Sequence, residues 1–207
     1  MNDCDYRTVI PPVGRCATGV LSRVCRRALA LTLFALLQIS RCSFAQEQPQ
    51  APDEYTVKAA FLYNFTKYID WPTNAFESPE SPFVIGVLGD VPPELDRALV
   101  YYQQKKQTHG RTIAVRDLSS ADEAANCHVV FVRNSLDDER VAEVVERCGD
   151  RPILLVGEAD TFLGQGGGIN FTVLDDKVQF RLALKAIADR RLKPDAKLLR
   201  VAAEIVN

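Results

Sequence analysis

Two short apolar runs constrain this chain more than any other feature: Cys127-His128-Val129-Val130-Phe131-Val132 and Pro152-Ile153-Leu154-Leu155-Val156-Gly157-Glu158. Neither alternates with polar residues, so each reads as a strand buried on both faces of a parallel sheet. Between them Val141, Val144 and Val145 recur at helical spacing, while Asp138, Glu139, Arg140, Glu143 and Glu146 turn mostly to water. The unit is strand, helix, strand, and such a crossover is right-handed and central to an α/β sheet.

Cys127 opens the first run and Cys148 closes the helical segment. A strand from Cys127 to Val132 is roughly 20 Å long and a helix from Asp137 to Arg147 roughly 16 Å. The crossover helix runs back along its strand, so Cys148 returns beside Cys127. The expectation is a disulfide between Cys127 and Cys148, stabilising by roughly 3 kcal/mol in the chain-entropy model.

The beginning of the chain belongs to another class of segment. Arg23, Arg26 and Arg27 precede an uncharged run from Ala28 to Ser40, and Ser43-Phe44-Ala45 supplies small residues for a signal peptidase. Residues 1–45 therefore read as a cleaved signal peptide, with an apolar run too short for a stable membrane anchor. Arg41 does not suit a lipid-modified Cys42, and the Ala-Leu-Ala after Arg26-Arg27 is an ordinary start of an apolar signal core. Removing this segment takes away six Arg and two Asp, which leaves 19 basic against 25 acidic residues. An acidic surface repels phosphate backbones and anionic lipid, which argues against nucleic-acid binding and against direct membrane insertion after cleavage. Four cysteines leave as well, so Cys127 and Cys148 remain as one pair for an oxidising compartment.

Residues 46–52 read as a disordered, Pro-containing lead. From Asp53, an N-cap, Val57, Phe61, Phe65 and Tyr68 form a helical stripe that Trp71-Pro72 ends. Strands follow over 82–89 and 111–116, separated by a helix over 93–106, and a short acidic helix over 122–125 precedes the central unit. Beyond the Gly-rich run at 164–168 come a hairpin turning at Asp175-Asp176 and two helices, the last expected over 194–206. The fold class is α/β: a single domain over 53–207, with a mixed, mostly parallel central sheet flanked by helices and a C-terminal β-hairpin and helices.

Chemistry is sparse in this chain. Cys127 and His128 are neighbours on a strand and point to opposite faces, so they do not make a nucleophile and base pair. Cysteines and histidines at 109, 127, 128 and 148 lack metal-ligand spacing. The glycine run precedes a strand rather than a helix, so it lacks the helix dipole of a phosphate cradle. No catalytic residue, metal or cofactor is assigned. Glu158 and Asp160, just past a strand's carboxyl end, are the candidates for a small-molecule site. On the first helix, Phe65, Tyr68 and Trp71 are candidates for a partner surface, because the stripe is wide enough to cover a sheet and still face outward.

Several stretches together resemble the YfiR family. Val57-Lys58-Ala59-Ala60-Phe61-Leu62-Tyr63-Asn64-Phe65-Thr66-Lys67-Tyr68-Ile69-Asp70-Trp71-Pro72 is similar to its opening helix, and Cys127-His128-Val129-Val130-Phe131-Val132 to its central strand. Gly167-Gly168-Ile169-Asn170-Phe171 and Leu198-Leu199-Arg200-Val201-Ala202 are similar to its later motifs, so the resemblance covers about residues 54–206. It implies a periplasmic, non-catalytic regulatory protein that binds the periplasmic part of an inner-membrane diguanylate cyclase or sensor and represses it. Cyclic di-GMP signalling and biofilm formation would follow from release, and a homodimer and redox-sensitive disulfides are further family properties. Two departures stand out: Gly86 occupies the place of a frequent first-strand cysteine, and Phe180-Arg181-Leu182-Ala183 replaces a characteristic Phe-Glu-Ile-Asn. The competing expectation is a periplasmic small-molecule-binding domain using Glu158 and Asp160.

Overall fold

The computed structural model describes residues 53–207. The signal segment read at 1–45 and the lead at 46–52 lie outside the described residues. The chain runs α1 (Glu54–Tyr68), β1 (Ile69–Asp70), a 3₁₀ turn (Thr73–Ala75), β2 (Phe83–Leu88), α2 (Pro93–Lys105), β3 (Gln107–Thr108) and β4 (Arg111–Leu118). It continues through α3 (Ala121–Ala124), β5 (Val129–Val132), α4 (Asp138–Cys148), β6 (Leu154–Gly157), β7 (Ile169–Leu174) and β8 (Lys177–Ala183). The last elements are α5 (Leu184–Asp189), β9 (Lys193–Pro194), α6 (Ala196–Val201) and β10 (Glu204–Val206).

An eight-stranded sheet in the order β10-β8-β7-β6-β5-β2-β4-β3 forms the centre, with β1 and β9 paired separately. Strands β4, β2, β5, β6 and β7 are mutually parallel, and the β7–β8 and β3–β4 pairs are antiparallel. The fold is therefore the expected α/β class with a mixed, mostly parallel sheet. β5, α4 and β6 are the expected strand, helix and strand, and every residue of both strands is buried.

Alternation along the parallel strands builds two apolar layers. Phe83, Ile85, Val129, Phe131, Leu154 and Val156 meet α1, α2 and α6 on one face. Val84, Leu88, Val130, Val132 and Leu155 meet α3 and α4 on the other, together with Phe162. The Asp175-Asp176 turn between β7 and β8 has both residues at positive φ, 50° and 57°, as a two-residue hairpin of matching twist requires.

Two segments depart from the sequence expectation. The helix expected over 194–206 ends at Val201, and Glu204–Val206 adds a parallel edge strand to β8 instead. The Ala203 amide donates to Phe180 O at 2.9 Å and carries the chain onto the sheet edge. The glycine run also has a packing reason rather than a flexible one. The Phe162 ring, 1% exposed, lies against Gly157 and Gly167, where a Cβ on either glycine would overlap it.

Gly167→Ala is expected to force the buried Phe162 ring aside and to lower stability by about 1–3 kcal/mol. Urea unfolding checks this, and an unchanged midpoint would contradict it.

Candidate functional site

Open α/β sheets offer a crevice at the carboxyl ends of their strands where the strand order reverses, here between β2 and β5. In this chain side chains fill that place. Arg133, directly after β5, donates from Nε to Asp90 O at 2.8 Å and from Nη2 to Tyr55 Oη at 3.1 Å. Its Nη1 lies 2.6 Å from Glu158 Oε1. Lys58 of α1 reaches the other carboxylate oxygen, Oε2, at 2.5 Å and pairs with Glu54 Oε1 at 2.5 Å. The Asn134 amide adds a bond to Glu158 Oε1 at 3.2 Å. The Tyr55 ring flanks both cations, 4.8 Å from Lys58 Nζ and 4.5 Å from Arg133 Cζ.

The side chains of Lys58, Glu158 and Arg133 are 4%, 3% and 6% exposed, so the cluster is desolvated and closed by its own partners. Glu158, read from the sequence as a ligand candidate, commits its carboxylate to internal ion pairs while also lining, with Asp160, one small recess. Asp160 lies exposed beside a recess of about 270 Å³, smaller than an ordinary ligand cavity. Lys58 and Arg133 were missed by sequence reasoning. Lys58 lies one hundred positions from Glu158, so no local spacing marks the pair.

The aromatic end of α1 divides. Phe65 is 0% exposed and stacked among Phe61, Phe171 and Phe180, which corrects its assignment to a partner surface. Tyr68 and Trp71 are half-buried. Trp71 stands edge-on to Phe83 at 4.8 Å, and with Ile69, Asp70, Phe76, His109 and Arg111 it walls an open cleft of about 440 Å³. The Arg111 guanidinium covers the Phe76 ring at 3.9 Å and donates to the carbonyls of Ser78 and Ser81 at 2.7 and 2.8 Å.

His128 holds the same connection from the other side. Its Nδ1 accepts the Val84 amide at 3.0 Å, which leaves Nε2–H to donate to Ala75 O at 3.1 Å. The imidazole stacks on Phe76 at 4.4 Å. Burial favours the neutral ring and lowers its pKa from 6.5 to about 4, against the raising effect of the Ala75 bond.

Cys127 faces the opposite layer, so the two neighbours do not meet, as strand alternation requires. Cys127 and Cys148 are both buried free thiols, and the expected bridge between them is not formed. Cys127 Sγ instead donates to Glu123 O, in the short helix α3, at 3.7 Å. Burial in the apolar layer raises both thiols to about 11, so neither is thiolate at neutral pH.

The sequence profile described as YfiR/HmsC-like matches residues 55–203. The chain belongs to the YfiR/HmsC-like family. No curated protein matches it. Among solved structures, the ABC domain from Streptococcus pneumonia in complex with L-Trp is similar at 14% identity and a TM-score of 0.40, over 59% of this chain and 55% of that one. The match thus spans about half of that protein.

Two outcomes follow from these contacts. Glu158→Ala leaves two buried cations without their shared anion and is expected to cost about 3–5 kcal/mol in chemical denaturation. A loss below about 1 kcal/mol, the range of surface pairs, would contradict the buried network. For His128, the folded state binds fewer protons than the unfolded state between its two pKa values. The stability it contributes is therefore complete above pH 6.5 and is lost as pH falls towards about 4. Unfolding midpoints across that window should fall less steeply in His128→Gln than in the parent, and identical slopes would contradict the assignment.

Proposed function

We propose that this protein is an exported, non-catalytic regulator of the periplasm that binds an inner-membrane signalling protein, a diguanylate cyclase, through its periplasmic part and represses it. Cyclic di-GMP synthesis and biofilm formation are then restrained while the complex persists. The observation that carries this reading is the YfiR/HmsC-like family match over residues 55–203, which spans almost the whole described domain.

The local chemistry supports binding over catalysis. Glu158 and His128 are committed to hydrogen bonds and ion pairs inside the fold, and both thiols are protonated by burial. Tyr68 and Trp71, which end α1 on either side of Ile69 and Asp70, are the partner contacts of this reading. Each keeps a partly exposed aromatic surface, the residue type that contributes most to protein interfaces. The Asp195 amide donates to Tyr68 O at 2.8 Å, and β1 pairs with β9, so this end of α1 is rigid and ordering it costs little upon association. A homodimer is compatible with the same proposal.

Deleting the gene is expected to raise cellular cyclic di-GMP, and the tagged protein is expected to co-purify with a membrane-anchored diguanylate cyclase. Trp71→Ala should weaken that association at least about tenfold in protein that still unfolds cooperatively, with a midpoint lowered by the lost Phe83 contact. Phe65→Ala, a core truncation, should instead destabilise the protein by about 3–5 kcal/mol. Unchanged cyclic di-GMP together with no cyclase in the membrane eluate would overturn the proposal.

A further inference from the structure

At the opposite end of the sheet from Glu158, beside the amino ends of β2, β5 and β6, the surface opens into a cleft of about 580 Å³. That volume is within the range of cavities that hold small molecules. Three arginines reach it from three separate connections: Arg116 from β4, Arg151 from the turn after α4, and Arg191 from the turn after α5. All three are exposed, and among the described residues none has a carboxylate within ion-pair distance.

Backbone carbonyls hold two of the three. Arg151 donates from Nη1 to Ala125 O at 3.4 Å, and Arg191 from Nη2 to Asp150 O at 3.1 Å. Each bond uses one edge of a guanidinium and leaves other N–H groups for a ligand. Arg191 directly follows the end of α5 in the left-handed conformation, φ 60°, so its position is set by the way that helix terminates. The Asn126 side chain adds a neutral polar group to the wall, and Glu77 is the cleft's one carboxylate.

Three unpaired guanidinium groups around one concave surface repel each other, and a chain of acidic balance does not neutralise them here. Arginine's planar fork matches carboxylate and phosphate oxygens, and convergence of three forks favours an anion of charge two or more over a monoanion. We propose that this cleft binds a small organic anion of that kind, a polycarboxylate or a phosphate ester. The site is separate from Tyr68 and Trp71 and does not rest on the partner reading, so either can fail without the other.

Calorimetric titration of the exported chain at fixed ionic strength tests this, with citrate, inorganic phosphate and acetate as probes. Heats of binding are expected for citrate, phosphate or both, and none for acetate. Citrate alone assigns a polycarboxylate, phosphate alone a phosphate ester, and both the shared oxyanion chemistry. The double variant Arg116→Gln/Arg151→Gln should weaken the responding anion at least about tenfold, from the loss of two charge-assisted contacts. Glu77→Gln should tighten it, while Arg97→Gln on α2 should change nothing. No heat from either polyanion would overturn the site. So would equal binding of acetate, or affinity that the double variant leaves intact.

Discussion

The buried carboxylate of Glu158 is the interaction on which the arrangement of α1 depends. It sits at the end of β6, where the sheet stops, and it draws in one cation from α1 and one from the end of β5. Removing three charged side chains from water is costly, and their attraction offsets that cost only with good geometry and further hydrogen bonds. The Lys58–Glu158 bond meets both conditions, the Asn134 amide and the Asp90 carbonyl take up further valences, and Tyr55 flanks the cations. Arg133 Nη1, by contrast, lies 2.6 Å from Glu158 as an ion pair without hydrogen-bond alignment. The α1 helix is thereby located along its axis as well as packed by its apolar face. The interlocked rings of Phe61 and Phe65 and the buried ion pair fix the helix together.

That fastening also decides what the molecule can offer to others. The crevice where many α/β proteins bind ligands is occupied by Arg133, and the polar ends of β5 and β6 are turned inward. The open clefts among the described residues lie instead beside the β1–β2 connection. The connection is clasped by His128 on one side and by Arg111 on the other, with Phe76 stacked between them. An aromatic cleft at Trp71 and an arginine-lined cleft beside Cys127 lie on its two sides. A single strap thus forms a wall of both.

Much of the architecture was legible in the sequence because burial on both faces leaves a plain mark. The runs at 129–132 and 154–157 are apolar throughout, and the segment between them is amphipathic at helical period. The resemblance to the YfiR family, carried by residues such as those of 57–72, agrees with the profile match at 55–203. The site was less legible, for reasons of distance and type. A lysine on an amphipathic helix reads as solvent-facing, and nothing local marks Lys58 as the partner of a glutamate far along the chain. Phe65 has the same composition signature whether it faces a partner or the core, and only the sheet behind it decides. The last segment, 204–206, forms a strand because β8 offers an open edge, a tertiary cause that helical spacing of Leu198, Val201 and Ile205 does not reveal.

The regulatory account comes down to what touches the end of α1 in the cell. Site-specific photo-crosslinking from position 71 tests it most directly, with position 97 on α2, exposed and remote in sequence, as the control. The account predicts an adduct between this protein and a membrane-anchored diguanylate cyclase from position 71 and none from position 97. Absence of any cyclase adduct from position 71, or the same adduct from both positions, would contradict it.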